Sequence, residues 1–291
     1  MANRRVLVKR RKAVRNIRKI TRTMQLIATA RFQAAFNRAV ATRPYTEKLA
    51  ELVADLSRAA GDVDHPLLKT HDEVPRSALV VLTSDRGLAG GYNANVLRSS
   101  LAHLEQQAGR GISTDVHMVG KKGIAYFRFL RRAVAEQTSG IGDRPRFEQV
   151  EPIANALMDR FVRGEIASAH VAYMKFLSAG QQRPVVVQLL PLKPEAAEPG
   201  AAGKPAVEYE FSPDPRQLLD ELLPATVRIR LFQAFNDAAV SEQVARMVAM
   251  KAATDAAGDM IKALTREYNR ARQTQITMEL LDIVGGANAL S

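Results

Sequence analysis

Between Val6 and Arg58 the chain has no glycine and a single proline, Pro44. Its apolar side chains recur there in steps mostly of three and four: Ile17, Ile20, Met24, Ile27, Ala28, Ala34 and Ala35, then Leu49, Leu52, Val53 and Leu56. That period predicts an amphipathic helix from about Arg4 to Arg58, roughly 80 Å long at 1.5 Å per residue, with the apolar residues on one stripe. Pro44 is expected to kink or divide it. The alanines in the stripe permit close approach of a second helix.

A second run, longer still, closes the chain. From about Ala225 to Ile283 there is one glycine, Gly258, and no proline. Val240, Val244, Met247, Met250, Thr254, Ala257, Ile261, Leu264, Tyr268 and Ala271 follow one another by threes and fours, a coiled-coil stripe. Two long terminal helices around a compact insert pair with each other or with partners, and antiparallel pairing is the expectation. Beyond the stripe the pattern changes. Ile276, Met278, Leu280, Leu281, Ile283, Val284, Ala287 and Leu290 cover an arc of roughly 240° on the helical wheel. One partner helix covers about half of that arc, so the tip is expected to sit in a socket of other protein.

The middle reads differently. Ser77–Thr83, Ile112–Val119, Ile166–Leu177 and Pro184–Leu192 are β-branched, apolar runs of strand length. Helical stretches from about Asn93 to Gln107, Gly123 to Arg132 and Val150 to Arg163 alternate with them, and Gly180-Gln181-Gln182-Arg183 suits a hairpin between the last two strands. This order implies a mostly parallel sheet covered by helices. The Pro/Gly/Ala-rich stretch 193–206 is expected to be a flexible loop. The expected organisation is therefore a coiled-coil helix over 1–58, an α/β insert over 76–192, the loop 193–206, and a second coiled-coil helix with its tip over 207–291.

Composition narrows the chemistry. Cysteine is absent from the 291 residues, which removes disulfides, thiolate metal sites and cysteine nucleophiles. The five histidines have no metal-ligand spacing, and no nucleophile-elbow motif occurs. No cofactor is expected. The formal charge is +12, and Met1–Thr46 holds thirteen Lys and Arg without one Asp or Glu. Such an arm fits a nucleic-acid binder, an organellar transit peptide, or a helix lodged among acidic partner surfaces. The helical pattern running past residue 40 argues against the second, and the scarcity of aromatics against the first. Gly87, Gly90 and Gly91 follow the first strand where a doubly wound fold binds phosphate, so a nucleotide enzyme is a further alternative. They match neither GxGxxG nor a P-loop, and the simpler expectation is tight strand–helix packing.

Four blocks, in order, carry a resemblance: Arg18–Ala28 (RKITRTMQLIA), Leu82–Asn93 (LTSDRGLAGGYN), Tyr209–Pro215 (YEFSPDP), and Tyr268–Leu280 (YNRARQTQITMEL) with Ile283–Ala287 (IVGGA). The sequence resembles the γ subunits of F-type ATP synthases, although Ala89 stands where the family often has cysteine. The resemblance implies a fold of α/β plus long α: an antiparallel coiled coil of the N- and C-terminal helices with an inserted Rossmann-like, mostly parallel α/β domain. It implies a rotor shaft that turns inside a hexamer of α and β subunits (3:3:1 with this chain), with the catalytic sites on those subunits. Further implied partners are an ε subunit and the membrane rotor ring. Nucleic acid is not among them, and membrane contact comes only through the complex, at the cytoplasmic face of a bacterial inner membrane.

Residue roles follow from the same likeness. Arg272, Gln273, Thr277 and Glu279 match positions that contact the α/β collar, and Met24 one that faces a β-subunit lever. Tyr209 falls in the segment expected near ε and the ring.

Overall fold

The computed structural model describes residues 4–60, 65–71, 73–192 and 215–289. The elements, in chain order, are α1 (Arg4–Ala60), β1 (Arg76–Leu82), α2 (Tyr92–Gly109), β2 (Ser113–Val119), α3 (Lys121–Phe129), β3 (Glu136–Thr138), α4 (Phe147–Val162), β4 (Ser168–Ser178), β5 (Gln181–Leu190) and α5 (Pro215–Ala289). The predicted strands and helices are all present, most with ends shifted by a few residues; α5 starts ten residues before the expected Ala225 and runs through Pro224. The short edge strand β3 is new: three residues, Glu-Gln-Thr, carry no apolar pattern that a sequence reading can catch. The expected loop 193–206 lies outside the described residues.

Two compact units result, one of Met1–Thr29 with Arg246–Ser291 and one of Ala30–Ala245. The larger contains a five-stranded sheet in the order β3-β2-β1-β4-β5. Strands β3, β2, β1 and β4 are parallel, and β5 is antiparallel to β4. Central strand β1 is covered on both faces, which is why it reads as an unbroken apolar run. Leu79 and Val81 pack with Tyr92, Val96, Met118 and Phe127 toward α2 and α3. Ala78, Val80 and Leu82 pack with Phe161 of α4 and with Leu223, Val227 and Leu231 of α5.

Within this unit α5 is enclosed all round: every residue from Ala234 to Val244 is buried. Polar members of that stretch find partners, as when the Ser241 hydroxyl donates to the Met174 carbonyl at 3.0 Å. Helix α1 runs through Pro44 undivided, with Ala39 and Leu49 anchored on either side at 2% and 5% exposure. Phe32 and Phe36 of α1 meet Phe176 at the end of β4.

In the smaller unit α1 and α5 are antiparallel. Thr21 meets Thr254, with their hydroxyl oxygens 2.8 Å apart. Arg18 lies over Gly258. The Arg11 guanidinium sits 5.0 Å from the centre of the Tyr268 ring, a cation–π contact. On α5 the predicted stripe is the one observed: Met250, Thr254 and Ala257 are buried, and Ile261, Leu264, Tyr268 and Ala271 are half-buried.

On α1 the predicted stripe needs correction. Leu7, Thr21 and Ala28, spaced by multiples of seven, face the partner, while Ile17, Ile20 and Ile27 are 51%, 59% and 48% exposed. Ile20 and Ile27 lie roughly 100° around the helix from the seam, at 100° per residue. Two apolar stripes run side by side here. At Thr21 and Ala28 the seam residue is small, which lets the backbones approach there, and the larger Ile20 and Ile27 stay outside.

Gly258 is a helix-interior glycine with ordinary space around it, since an added Cβ would meet the Arg18 guanidinium carbon at 3.8 Å. Gly258→Ala should therefore stabilise the coiled coil by about 1 kcal/mol through helix propensity. A thermal melt of the purified variant should show a midpoint raised by a few degrees. A lowered midpoint would mean that the Arg18 side chain has no room to adjust.

Candidate functional site

Two places carry functional promise: the carboxyl ends of the parallel strands, where a doubly wound fold binds ligands, and the end of α5.

At the strand ends a cavity of about 310 Å³ is lined by Thr83, Asp85, Lys121, Gly140, Asp143 and Glu242 among others. Two helix starts face it, that of α2 after the glycine block and that of α3 after β2, and an anion at the second would need the backbone donors of α3 free. Those donors are already taken. The Asp85 carboxylate accepts from Lys121 N at 3.0 Å, the Ser84 carbonyl from Lys122 N at 3.0 Å, and the Thr83 hydroxyl from Gly123 N at 2.9 Å. Asp85 thus occupies the anion position with a side chain of the protein itself. Its second oxygen accepts from Gly140 N at 2.9 Å.

The glycine block is likewise bound to itself. Asn93 accepts at Oδ1 from Ser84 N at 3.0 Å and stands 2.8 Å through its amide nitrogen from Ser84 Oγ. Of the three glycines only Gly90 takes a positive φ, +54°; a Cβ at Gly87 or Gly91 would meet only the Lys122 or Asn95 side chain at 3.4 Å, so the expected tight strand–helix packing is not what these two positions show.

The end of α5 is the opposite case. Every described side chain from Arg272 to Ala287 is exposed. Apolar residues are included: Ile276 at 47%, Leu281 at 62% and Ile283 at 68%. The reason is one of length. Residues of α1 and α5 that meet have numbers adding to about 276, so Arg4 at the start of α1 stands opposite about residue 272. Beyond that point no described residue of α1 lies opposite.

Arg272, Gln273, Thr277 and Glu279 all fall on this uncovered end, which brings four of the six predicted residues onto one segment. Their local bonds are helical and weak: Thr277 donates to the Gln273 carbonyl at 3.0 Å, and Gln275 to Glu279 at 2.9 Å. Met24, by contrast, lies on α1, half-buried beside the seam. Tyr209 lies outside the described residues. Ile17, Ile20 and Ile27, expected on one apolar stripe of α1 with Ala28, are surface residues instead. Their signal was present as an apolar pattern too wide for one partner.

Among the described residues no group of His, Asp or Glu is placed to hold a metal ion, and no helix is long and apolar enough to cross a membrane. Three histidines serve the fold. His117 bridges β2 and β3, its Nδ1 3.0 Å from Glu136 and its Nε2 2.8 Å from the Thr138 hydroxyl. His103 of α2 packs against His170 of β4 with ring centres 4.6 Å apart.

Burial pushes His65, His103 and His117 below the usual histidine value; Arg110 adds to the effect on His103, while Asp220 and Glu136 partly offset it at His65 and His117. A depressed histidine makes the folded state bind fewer protons than the unfolded chain. Stability is therefore full above pH of about 6.5 and falls as pH drops toward the folded-state values. Urea midpoints of the purified chain should decline as pH falls below about 6.5, and decline less in a His103→Gln variant. Equal slopes would remove His103 from the account.

Comparison with known proteins agrees with the arrangement. The ATP synthase family model matches residues 3–290. The ATP synthase gamma chain of Rhodopirellula baltica is 44% identical over 295 aligned positions, covering 100% of this chain and 99% of that one. That of Frankia casuarinae is 42% identical over 287, covering 97% and 96%. In fold, the chain matches one from the Euglena gracilis mitochondrial ATP synthase, in a structure of its OSCP/F1/c-ring portion, with a TM-score of 0.67 at 17% identity, covering 99% of this chain and 94% of that one. Two long terminal helices with a doubly wound insert between them in sequence, and identity of 42–44% over nearly the full length of gamma chains, lead to one conclusion: this chain belongs to the gamma-chain family of ATP synthase.

Proposed function

We infer that the chain is the rotor shaft of a rotary ATP synthase. It turns within a hexamer of α and β subunits in a 3:3:1 ratio, contacts an ε subunit and a membrane rotor ring, and reaches the membrane only as a peripheral member of the complex, at the cytoplasmic face of a bacterial inner membrane. Nucleotide chemistry takes place on the surrounding subunits. The observation that carries this reading is the uncovered end of α5, whose apolar side chains are exposed with no covering partner among the described residues. A soluble protein does not leave such a surface in water without a use for it.

The mechanism is one of differential contact. An asymmetric shaft presents a different surface to each catalytic subunit, so each orientation favours one conformation per site and rotation changes which one. Ion flow through the ring supplies the drive, about 2.3 kcal/mol for each charge crossing 100 mV. In this reading Arg272, Gln273, Thr277 and Glu279 meet the collar of the hexamer, Met24 faces a β-subunit lever, and Tyr209 lies near ε and the ring. The basic arm, with Arg15, Lys19 and Arg22 exposed beside Ile17 and Ile20, meets acidic surface and is steered rather than held by it. The working division is a helix over 1–58, the insert over 76–192, a loop over 193–206 and the second helix with its tip over 207–291.

Affinity purification of the tagged chain from its own cells tests the assignment. Co-purification of α and β subunits at three copies each per chain is the expected result. A chain that comes down without them sinks the reading.

A further inference from the structure

The loop that follows β3 holds on to both sides of the larger unit. On the sheet side, Gly140 N donates to Asp85, which also accepts from Lys121 N. On the helix side, the Asp143 carboxylate accepts from Gln243 Nε2 of α5 at 2.9 Å and from Arg31 Nη1 of α1. The Asp143 backbone carbonyl accepts from Arg38 Nη2, also of α1, at 3.1 Å. Gly140 and Gly142 have φ of +87° and +68°, which lets the loop reverse between its two anchorages.

The nearby packing of Phe32 and Phe36 on Phe176 is apolar and non-directional. Such packing resists separation of the surfaces but resists sliding along the helix axes less well. Directional, charge-assisted bonds do resist sliding, and Asp143 makes them to both helices at once.

We propose that loop 139–146 is a strap fixing the α/β insert against axial slip on α1 and α5, with Asp143 as its positioning residue. This deepens the rotor reading and rests on it. Torque delivered to the insert reaches the helices only if the two move together, so a loose strap separates ATP turnover from ion movement.

The test uses whole enzyme in inverted membrane vesicles carrying wild-type chain, Asp143→Asn or Asp143→Ala. ATP hydrolysis should stay within about twofold of wild type, while ions pumped per ATP hydrolysed should fall fivefold or more. Because the chain has no cysteine of its own, a D143C/Q243C pair can be joined by a short bismaleimide in an enzyme whose other subunits lack accessible cysteines. The bridge should restore pumping, an outcome that a merely destabilised fold would not give.

Wild-type pumping per ATP in Asp143→Asn and Asp143→Ala overturns the strap, as does an uncoupled pair that the bridge leaves uncoupled. Failure of all three variants to assemble overturns it too, since Asp143 would then be a folding residue. Absence of α and β subunits from the wild-type chain is a different failure, that of the rotor reading itself.

Discussion

Alanine at Arg272 and Gln273 together will slow ATP hydrolysis by a reconstituted assembly of the chain with α and β subunits by about tenfold to a hundredfold. Both side chains are exposed at the end of α5, where the described part of α1 runs out, and no described ion pair of this chain engages Arg272. A guanidinium placed this way is available to a carboxylate on a neighbouring subunit. Charge-assisted hydrogen bonds of that kind contribute about 1.5–3 kcal/mol when made to a partner. If the contact forms only in some orientations of the shaft, its loss appears in turnover rather than in assembly.

The variant's own stability should be unchanged to within about 0.5 kcal/mol, because exposed helix positions tolerate alanine well. A melt of the purified chain separates the two effects. Wild-type turnover in the double variant would remove both residues from the coupling path.

The second large effect concerns Gly120, between β2 and α3. Its φ is +95°, and a Cβ built there would meet the Thr83 carbonyl oxygen at 2.1 Å. The Thr83 carbonyl is backbone directly after β1, with its carbon at 2.6 Å from the added Cβ, and Thr83 N itself donates to the Val119 carbonyl at 2.9 Å. Nothing can step aside. Gly120→Ala should cost more than about 3 kcal/mol, combining backbone strain with displacement of β1 from β2. Gly111→Ala is the control: φ is +77° there with nothing within 4 Å, so strain alone acts, at about 1–2 kcal/mol. Urea denaturation of the two variants measures the difference. Equal losses would show that the close approach to Thr83 relaxes freely.

The particular places where sequence and structure agree or part share a cause. Strand β1 and the α5 stripe were legible because each is buried on a face that its residues repeat regularly, so pattern and burial coincide. Helix α1 was legible as a helix but not in its facing. Two apolar stripes share that surface, and helical periodicity cannot say which of Ile20 and Thr21 turns toward α5. The glycine block suggested an anion site from its position alone. Only the fold shows Asn93 of that block tied back to Ser84, and the neighbouring Asp85 bound to the start of α3 and to Gly140, residues 36 and 55 positions away in the chain. Asp143 left no trace in the sequence at all, because its partners Arg31 and Gln243 lie more than ninety residues off on either side.

The sequence by itself determined the elements, their order, the family and the unusual breadth of the apolar tip, because these follow from local periodicity and from blocks of residues read in line. The tertiary structure decided which stripe of α1 faces α5, where the cover of α5 runs out, and which side chains close the strand ends. Each of those depends on what lies opposite a residue in space, set by packing volume and by directional bonds between distant segments, and neither is written along the chain.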